Sequence, residues 1–557
     1  MFKKAVQRGR SQRGGDAYVF SVRGAPERRE NNAGGLFQHP AMAITFIPND
    51  PFDQGPLGPR RKRPRPDPPS VRARFSHAAT IPEGHYARDT PEFLFWQCRE
   101  AALAALETWA LMAQPLSRWA NDANLLTLSP DHGQGLNASY DRTTLSFFRW
   151  TTGSKTTASG ASTDAVAHEV GHALLDAIRP DLWGSAYTEV AAFHEAFGDC
   201  LALLVGWCDA PTRQALLRNG SALRQPNFLE ALAEDVADGI RREHGTGHPN
   251  SLPRRALNTL QWEFPVNLPT IGSSAELTSE PHSFSQVFTG CFYDMVCNIF
   301  DTGSSQDIAG LRRAALAAGT LLIAAAKTAP ESMRFFQAVG RAIILADTEL
   351  NGGASHQAIR DAFAAHNVLL GSSAMLAPTA ALAGGAPRFA RDSRKATLAT
   401  ATQRDLLKRI RGPAKGTLFA IRLKVGGKTV AKAVHRRPVR LDALDKRLKK
   451  VVVMASESVL VGRSGTRAAV LGQLPEESAT REEATTFVRT LLKHQSIIMT
   501  KPAAKRVKKR RAGAKSKPSS SVATHKVQTQ GKTKVLVRTH FTCGVPHALL
   551  SPQTRSE

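Results

Sequence analysis

The stretch Thr163–Ile178, TDAVAHEVGHALLDAI, constrains this chain more than any other part of it. At ~100° per residue, positions four apart in a helix differ by ~40° around the axis and sit one turn apart along it. His168 and His172 therefore project side by side, close enough to share one tetrahedral cation. Glu169 lies ~100° around from His168, beside that cation and outside its ligand set, where a general base can take a proton from a water on the metal. Ser162, Thr163 and Asp164 supply a helix start, and Ala167, Val170, Gly171 and Leu174 an apolar surround. A zinc site of this kind needs a third protein ligand and an open fourth position.

The next segment, YTEVAAFHEAFGDCLALLVGW (187–207), is itself helical in pattern and carries Glu189, His194, Glu195 and Asp199, each a possible ligand by residue type. Glu195 and Asp199 are one turn apart on one face. Glu195 can then bind the metal while Asp199 hydrogen-bonds a ligand histidine. His194 points elsewhere and is expected to pack or to face solvent.

HEVGH followed by EVAAFHEAFGD resembles the thermolysin-like zinc metallopeptidases, the gluzincins, whose third ligand is the glutamate of an N-E-A-x-S-D segment. The resemblance implies that His168, His172 and Glu195 hold one catalytic Zn2+, that Glu169 is the base and that Asp199 orients a ligand histidine. Glu189 matches a further glutamate of that segment, whereas His194 and Gly198 stand where the family has Asn and Ser. LNASYDRTTLSFF (136–148) resembles the family's edge strand, with Asn137 and Ala138 at the matching substrate-binding places. A peptide docking there would gain affinity from main-chain hydrogen bonds. EPHSFSQVFTGCFYD (280–294) resembles the H-x-N-S-G helix, which implies His282 as the residue that stabilises the oxyanion. LPRRALNTL places Arg255, or its neighbour Arg254, where the family holds an arginine near the substrate carbonyl.

The resemblance spans roughly residues 80–369 and includes ESMRFFQAVGRAIILADTELNGGASHQAIRDAFAAHNV (331–368), which is similar to the helices closing the family's C-terminal lobe. It implies an α+β fold, a small β-rich lobe joined to a mainly helical one, and a zinc-dependent endopeptidase acting on polypeptides. Two positions depart from the family. Its substrate-side tyrosine falls at Ala186, with Tyr187 one place on. Asp164 matches a calcium-binding position of thermolysin, but the partner glutamate is replaced by Gly206, so calcium is doubtful and Asp164 reads more simply as a helix-start residue.

Charge decides how the rest of the chain is read. The net charge of +27 is uneven: residues 1–75 hold 15 Lys and Arg against 6 Asp and Glu (+9), residues 76–387 hold 20 against 31 (−11), and residues 388–557 hold 39 against 10 (+29). An electrostatic partner therefore belongs to the ends. The expected organisation is a flexible basic Pro/Gly/Arg-rich arm over 1–75, with a short strand at AMAITFIP (41–48), the zinc domain over 76–370, and a linker over 371–395. A small basic α+β module follows over 396–500, with strands in GTLFAIRLKV and KVVVMA and a helix in EEATTFVRTLLKHQ, then a largely disordered basic tail over 501–557.

The basic ends suggest nucleic acid or another polyanion as a partner. They also set up the alternative reading, a basic nucleic-acid-binding protein carrying an inactive or structural zinc domain. Structural zinc sites usually use cysteines, however, and an intact ligand set with its base is an odd thing for a passenger to keep. Cys98, Cys200, Cys208, Cys291, Cys297 and Cys543 form no CxxC pair and lie mostly in apolar stretches, so they read as buried thiols in a reducing compartment. No apolar core of a Sec signal follows the N-terminal lysines, and the run AALAAGTLLIAAA (314–326) is too short to span a bilayer. The expected location is cytoplasmic.

Overall fold

Pro91 in the first helical turn, and the Thr90 hydroxyl that accepts from the Phe93 N–H at 3.2 Å, begin helix α1 (Pro91–Met112). The computed structural model describes residues 43–52, 57–218, 222–371, 418–425, 428–464, 467–470, 474–498 and 523–543, with a few positions between 396 and 408. The arm as far as residue 42, nearly all of the expected linker, and 501–522 and 544–557 of the expected tail lie outside the described residues. The described chain is mixed α+β.

Helices α2 (Thr163–Ile178) and α3 (Thr188–Cys208) pack against each other at the centre. Around them stand α1, α4 (Ala210–Leu217), α5 (Glu234–His244), α6 (Pro281–Asp301), α7 (Ile308–Thr328), α8 (Phe335–Asn351) and α9 (His356–Ala365). By length and composition α3 and α7 are apolar enough to cross a membrane, but α3 is buried along its whole length, which accounts for its apolarity. Glu189, in the first turn of α3, ties this helix to the start of α8 by accepting from the Phe336 N–H at 2.9 Å and from Trp262 Nε1 at 3.1 Å.

A sheet lies against α1 and α2. Its strands run Arg74–His77, Leu125–Gln134, Thr144–Thr152, Ala138–Tyr140 and Phe541–Thr542 in spatial order, with Lys155–Ala158 paired to Thr144–Thr152. Thr144–Thr152 is the centre of this sheet. Ala138–Tyr140 is antiparallel to both of its neighbours, one of which comes from the far end of the chain.

Two expected boundaries are corrected. The described part of the 1–75 arm is ordered from residue 43: Ile44–Phe46 pairs with Arg60–Lys62, and Ile44, Phe46 and Ile47 are buried. The cause is pairing of both backbone and charge. The Gln97 side chain of α1 bonds both the N–H and the carbonyl of Ile47 (2.8 and 3.0 Å), and Lys62, Arg65 and Arg99 surround the buried Glu100 carboxylate. Basic residues that read as a solvated arm are thus counterions to a buried acid.

The expected 501–557 tail is likewise ordered over 523–543. The C-terminal module contains Leu418–Val425, Lys428–Arg440, Val451–Ser464 and the helix Glu477–Lys493, and extends beyond 500 through the hairpin His525–Gln530/Thr533–Arg538. The second hairpin strand runs parallel to the start of Val451–Ser464, with Val452 opposite Val535. Ser458 N–H donates to the Glu331 carbonyl at 2.7 Å, and Arg334 meets Glu483 at 2.6 Å. The described residues from 43 onward form one compact unit in which residues of the C-terminal module share a continuous apolar core with α2 and α3.

Candidate metal centre

Ser162 caps α2 by accepting from the Ala165 N–H at 3.2 Å, and the Asp164 carboxylate accepts from Ala165 N–H and Ala233 N–H at 2.6 and 2.8 Å. Asp164 thus acts as a helix-start residue, as its position in the sequence suggests. One and two turns further on, His168 and His172 point at α3. Their Nε2 atoms are 3.1 Å apart and lie 3.3 and 3.5 Å from Glu195 Oε2. Ligands held at 2.0–2.1 Å around a tetrahedral zinc are separated from one another by ~3.3 Å. The spacing of the three donor atoms therefore fits such an ion. With the Cys543 thiol they form a group of possible ligands whose donor atoms all lie within 4.8 Å of one another.

The helices come this close because of two glycines. A Cβ on Gly171 would stand 2.7 Å from the Gly198 Cα, and a Cβ on Gly198 would stand 2.7 Å from His168 Nδ1. Gly198, which stands where the resembled family has serine, is thus the space the His168 ring occupies. Gly198→Ala is expected to displace that ring, to cost on the order of 1–3 kcal/mol of stability, and to weaken zinc binding by roughly 10–100-fold. Chelator competition measures the second effect; unchanged affinity would contradict this role for the glycine.

Support for the ligands follows. His168 Nδ1 meets Asp199 Oδ1 at 2.7 Å, and Arg254 donates to Asp199 through Nε and Nη2 at 3.0 and 2.7 Å. Burial works against the Asp199 carboxylate, but Arg254 and His168 outweigh it and bring its pKa down to about 2. Burial also opposes charge on His168, where Asp199 and Glu195 prevail and raise it to about 9. Glu195 is held well below the usual carboxylate range, since His282 and His172 more than offset its desolvation.

Glu169 is fully buried, and neither of its carboxylate oxygens has a hydrogen-bond partner of normal geometry. Burial pushes its pKa up, while His172, His168 and the nearby Cys543 thiol pull the other way. On the opposite side stands His282 at the start of α6, whose cap is Glu280 with Pro281 next. His282 Nε2 is 3.2 Å from Glu195 Oε2, and Nδ1 is 2.7 Å from Glu280 Oε1. Desolvation is again overcome, here by Glu195 and Glu280, which raise His282 to about 10. As a cation it donates from both nitrogens, and Nε2 meets the Thr542 carbonyl oxygen at 2.6 Å.

The sequence-derived candidates divide here. His168, Glu169, His172, Glu195, Asp199 and His282 come together, and Asn137 and Ala138 flank them on the sheet edge. Arg255 does not join them: its side chain is 46% exposed and pairs with Glu230, while Arg254 holds Asp199. This is a correction, and its reason is geometric, because adjacent residues of the strand Arg254–Arg255 point to opposite sides. Tyr187 is buried with its hydroxyl donating to Glu457 at 2.7 Å, so it is engaged by the C-terminal module. His194 is buried too, and stacks on Phe541 at 4.2 Å between ring centroids.

Comparison with models of known protein families and with curated proteins finds no match for this chain.

Sequence reading missed Phe541 and Cys543. The six cysteines are free thiols, four of them buried, but Cys543 is only partly buried and stands at the metal centre. Its only sequence signal is a short apolar stretch, FTCGV, after a long basic run.

Proposed function

We propose that this chain is a zinc-dependent endopeptidase built like the thermolysin-like enzymes, hydrolysing peptide bonds with Glu169 as general base. One observation carries the reading: three donor atoms at tetrahedral spacing beside a buried glutamate that lies outside the donor set. His168, His172 and Glu195 would hold the zinc, and structural sites made from two histidines and a glutamate next to a free carboxylate have no use for that carboxylate. When bound, zinc polarises a carbonyl and lowers the pKa of water to ~7.

The chain's own groups do the rest. Glu169 takes the proton of the attacking water, and its burial favours a carboxyl that both accepts and returns a proton. As the new C–O bond forms and the C–N bond breaks, that proton passes to the leaving amine. His282 donates from Nε2 to the carbonyl oxygen, where negative charge develops. Ala138–Tyr140, on the side where Phe541–Thr542 now pairs, would offer main-chain partners to an extended peptide once that segment is displaced. A cavity of about 370 Å³ adjoins Glu195 and His282, and its wall of Leu232, Val236 and Ile240 suits an apolar side chain of the substrate.

The test is cleavage of an unfolded protein by the zinc-loaded chain and by its Cys543→Ala variant. Activity should disappear with a chelator and return on adding one equivalent of zinc. Cleavage that survives chelation, or no cleavage by either form with zinc bound, would overturn the reading.

A further inference from the structure

The segment Arg538–Cys543 lies where a substrate would. Phe541 is opposite Tyr140 and Thr542 opposite Ser139 in antiparallel pairing, and the Cys543 N–H donates to the Ala138 carbonyl at 3.0 Å. The Thr542 hydroxyl donates to Asn137 Oδ1 at 2.7 Å. The Thr542 carbonyl, one residue before the thiol, receives the His282 Nε2–H. Phe541, 1% exposed, stacks on His172 at 4.7 Å and 18°, and the Arg538 guanidinium covers its ring at 4.1 Å.

The thiol points the same way. Sγ of Cys543 belongs to the group of His168, His172 and Glu195 donors, and it faces Glu169. Two buried carboxylates border this spot: Glu169 beside the thiol, and Glu195, whose Oε2 also meets His168, His172 and His282 at 3.2–3.5 Å. A donor between the three ligands and the base stands in the place that hydrolysis reserves for water.

We propose that Arg538–Cys543 is a built-in inhibitor that adds a strand to the edge Ala138–Tyr140 and delivers the Cys543 sulfur as fourth ligand of the metal, leaving the full chain latent until the segment is displaced. This rests on the peptidase reading above. With zinc present, Cys543 would hold it as a thiolate, and Glu169, the group facing the thiol, would take the S–H proton. With sulfur in place no water can reach Glu169, Asn137 and Ala138 are engaged, and His282 is committed to the Thr542 carbonyl. The hairpin His525–Gln530/Thr533–Arg538 tethers the segment by pairing with Val451–Ser464. Such tethering gives effective concentrations in the millimolar range, enough to compete with substrates whose KM is ~1 μM–1 mM.

The test uses full-length zinc-loaded protein and two variants, Cys543→Ala and Cys543→Ser, each first shown to bind one zinc per chain. X-ray absorption at the zinc edge should show a sulfur neighbour at ~2.3 Å in the native chain and none in either variant. Hydrolysis of an unfolded protein should rise at least tenfold in both variants. An all-nitrogen/oxygen shell in the native chain, or equal activity with and without the thiol, would overturn the proposal. Sulfur ligation in the native chain with no hydrolysis by any form would uphold the ligand assignment and overturn the peptidase reading and, with it, the inhibitory role. An active native chain lacking sulfur at zinc would do the reverse.

Discussion

Glu195→Ala in a Cys543→Ala background should abolish stoichiometric zinc binding while the chain still folds. Structural four-ligand zinc sites bind with apparent free energies of ~10–16 kcal/mol, so one ligand of such a set is worth roughly 3–4 kcal/mol, or about 10²–10³ in affinity. Three protein ligands leave little to spare. Glu195 also balances charge, because its carboxylate faces His168, His172 and His282 at 3.2–3.5 Å. Removing it should lower the pKa of His282, which Glu195 is the largest contributor in raising, and so weaken the donor at the carbonyl. Zinc content after dialysis, together with circular dichroism, checks both halves of the expectation. One tightly held zinc per Cys543→Ala/Glu195→Ala chain would remove Glu195 from the ligand set.

Glu169→Gln has the second large effect, and it acts on rate alone. The amide keeps the size of the carboxylate, so the apolar surround of Val166, Val170 and Ala173 is undisturbed. It cannot accept a proton from water or return one to the amine. General-base transfer of this kind contributes ~10²–10⁴-fold, and turnover should fall by that factor. Zinc content should hold, because Glu169 is not among the donor atoms.

How far this site can be read from the sequence depends on how each residue arrives there. His168, Glu169 and His172 share one helix, so its period alone sets their relation, and the same holds for Glu195 and Asp199. Joining the two pairs needs only that the helices pack, which the small residues Gly171 and Gly198 permit. Arg254 and Arg255 are different. Which of them faces Asp199 depends on the pairing of Leu232 with Arg254 and Ala231 with Arg255, and strand register of this short, isolated kind leaves no periodic trace. Tyr187, one place from the position of the family's tyrosine, stands at the start of α3 and donates to Glu457, a residue of a module about which the two central helices say nothing.

Cys543 was the least legible of all. It reaches the metal centre through a two-residue strand, Phe541–Thr542, whose partner lies near residue 139. Nothing local marks such a strand: two residues cannot show alternation, and the basic composition before it reads as solvated. Of the arm, the strand in AMAITFIP is legible and forms as Ile44–Phe46, but the order of 57–75 is hidden for the same reason: Lys62 and Arg65 meet the buried Glu100, and Arg60 meets Asp209, both far along the chain. Composition describes a segment, whereas burial depends on what it meets.

The measurement that bears most directly on the central claim compares Cys543→Ala with Cys543→Ala/Glu169→Gln at matched zinc content, on an unfolded protein, with products identified by mass spectrometry. Zinc-dependent cleavage by the first and a loss of 10²–10⁴-fold in the second is the predicted result. Equal cleavage by the two would contradict a glutamate-assisted zinc peptidase, whatever the metal content.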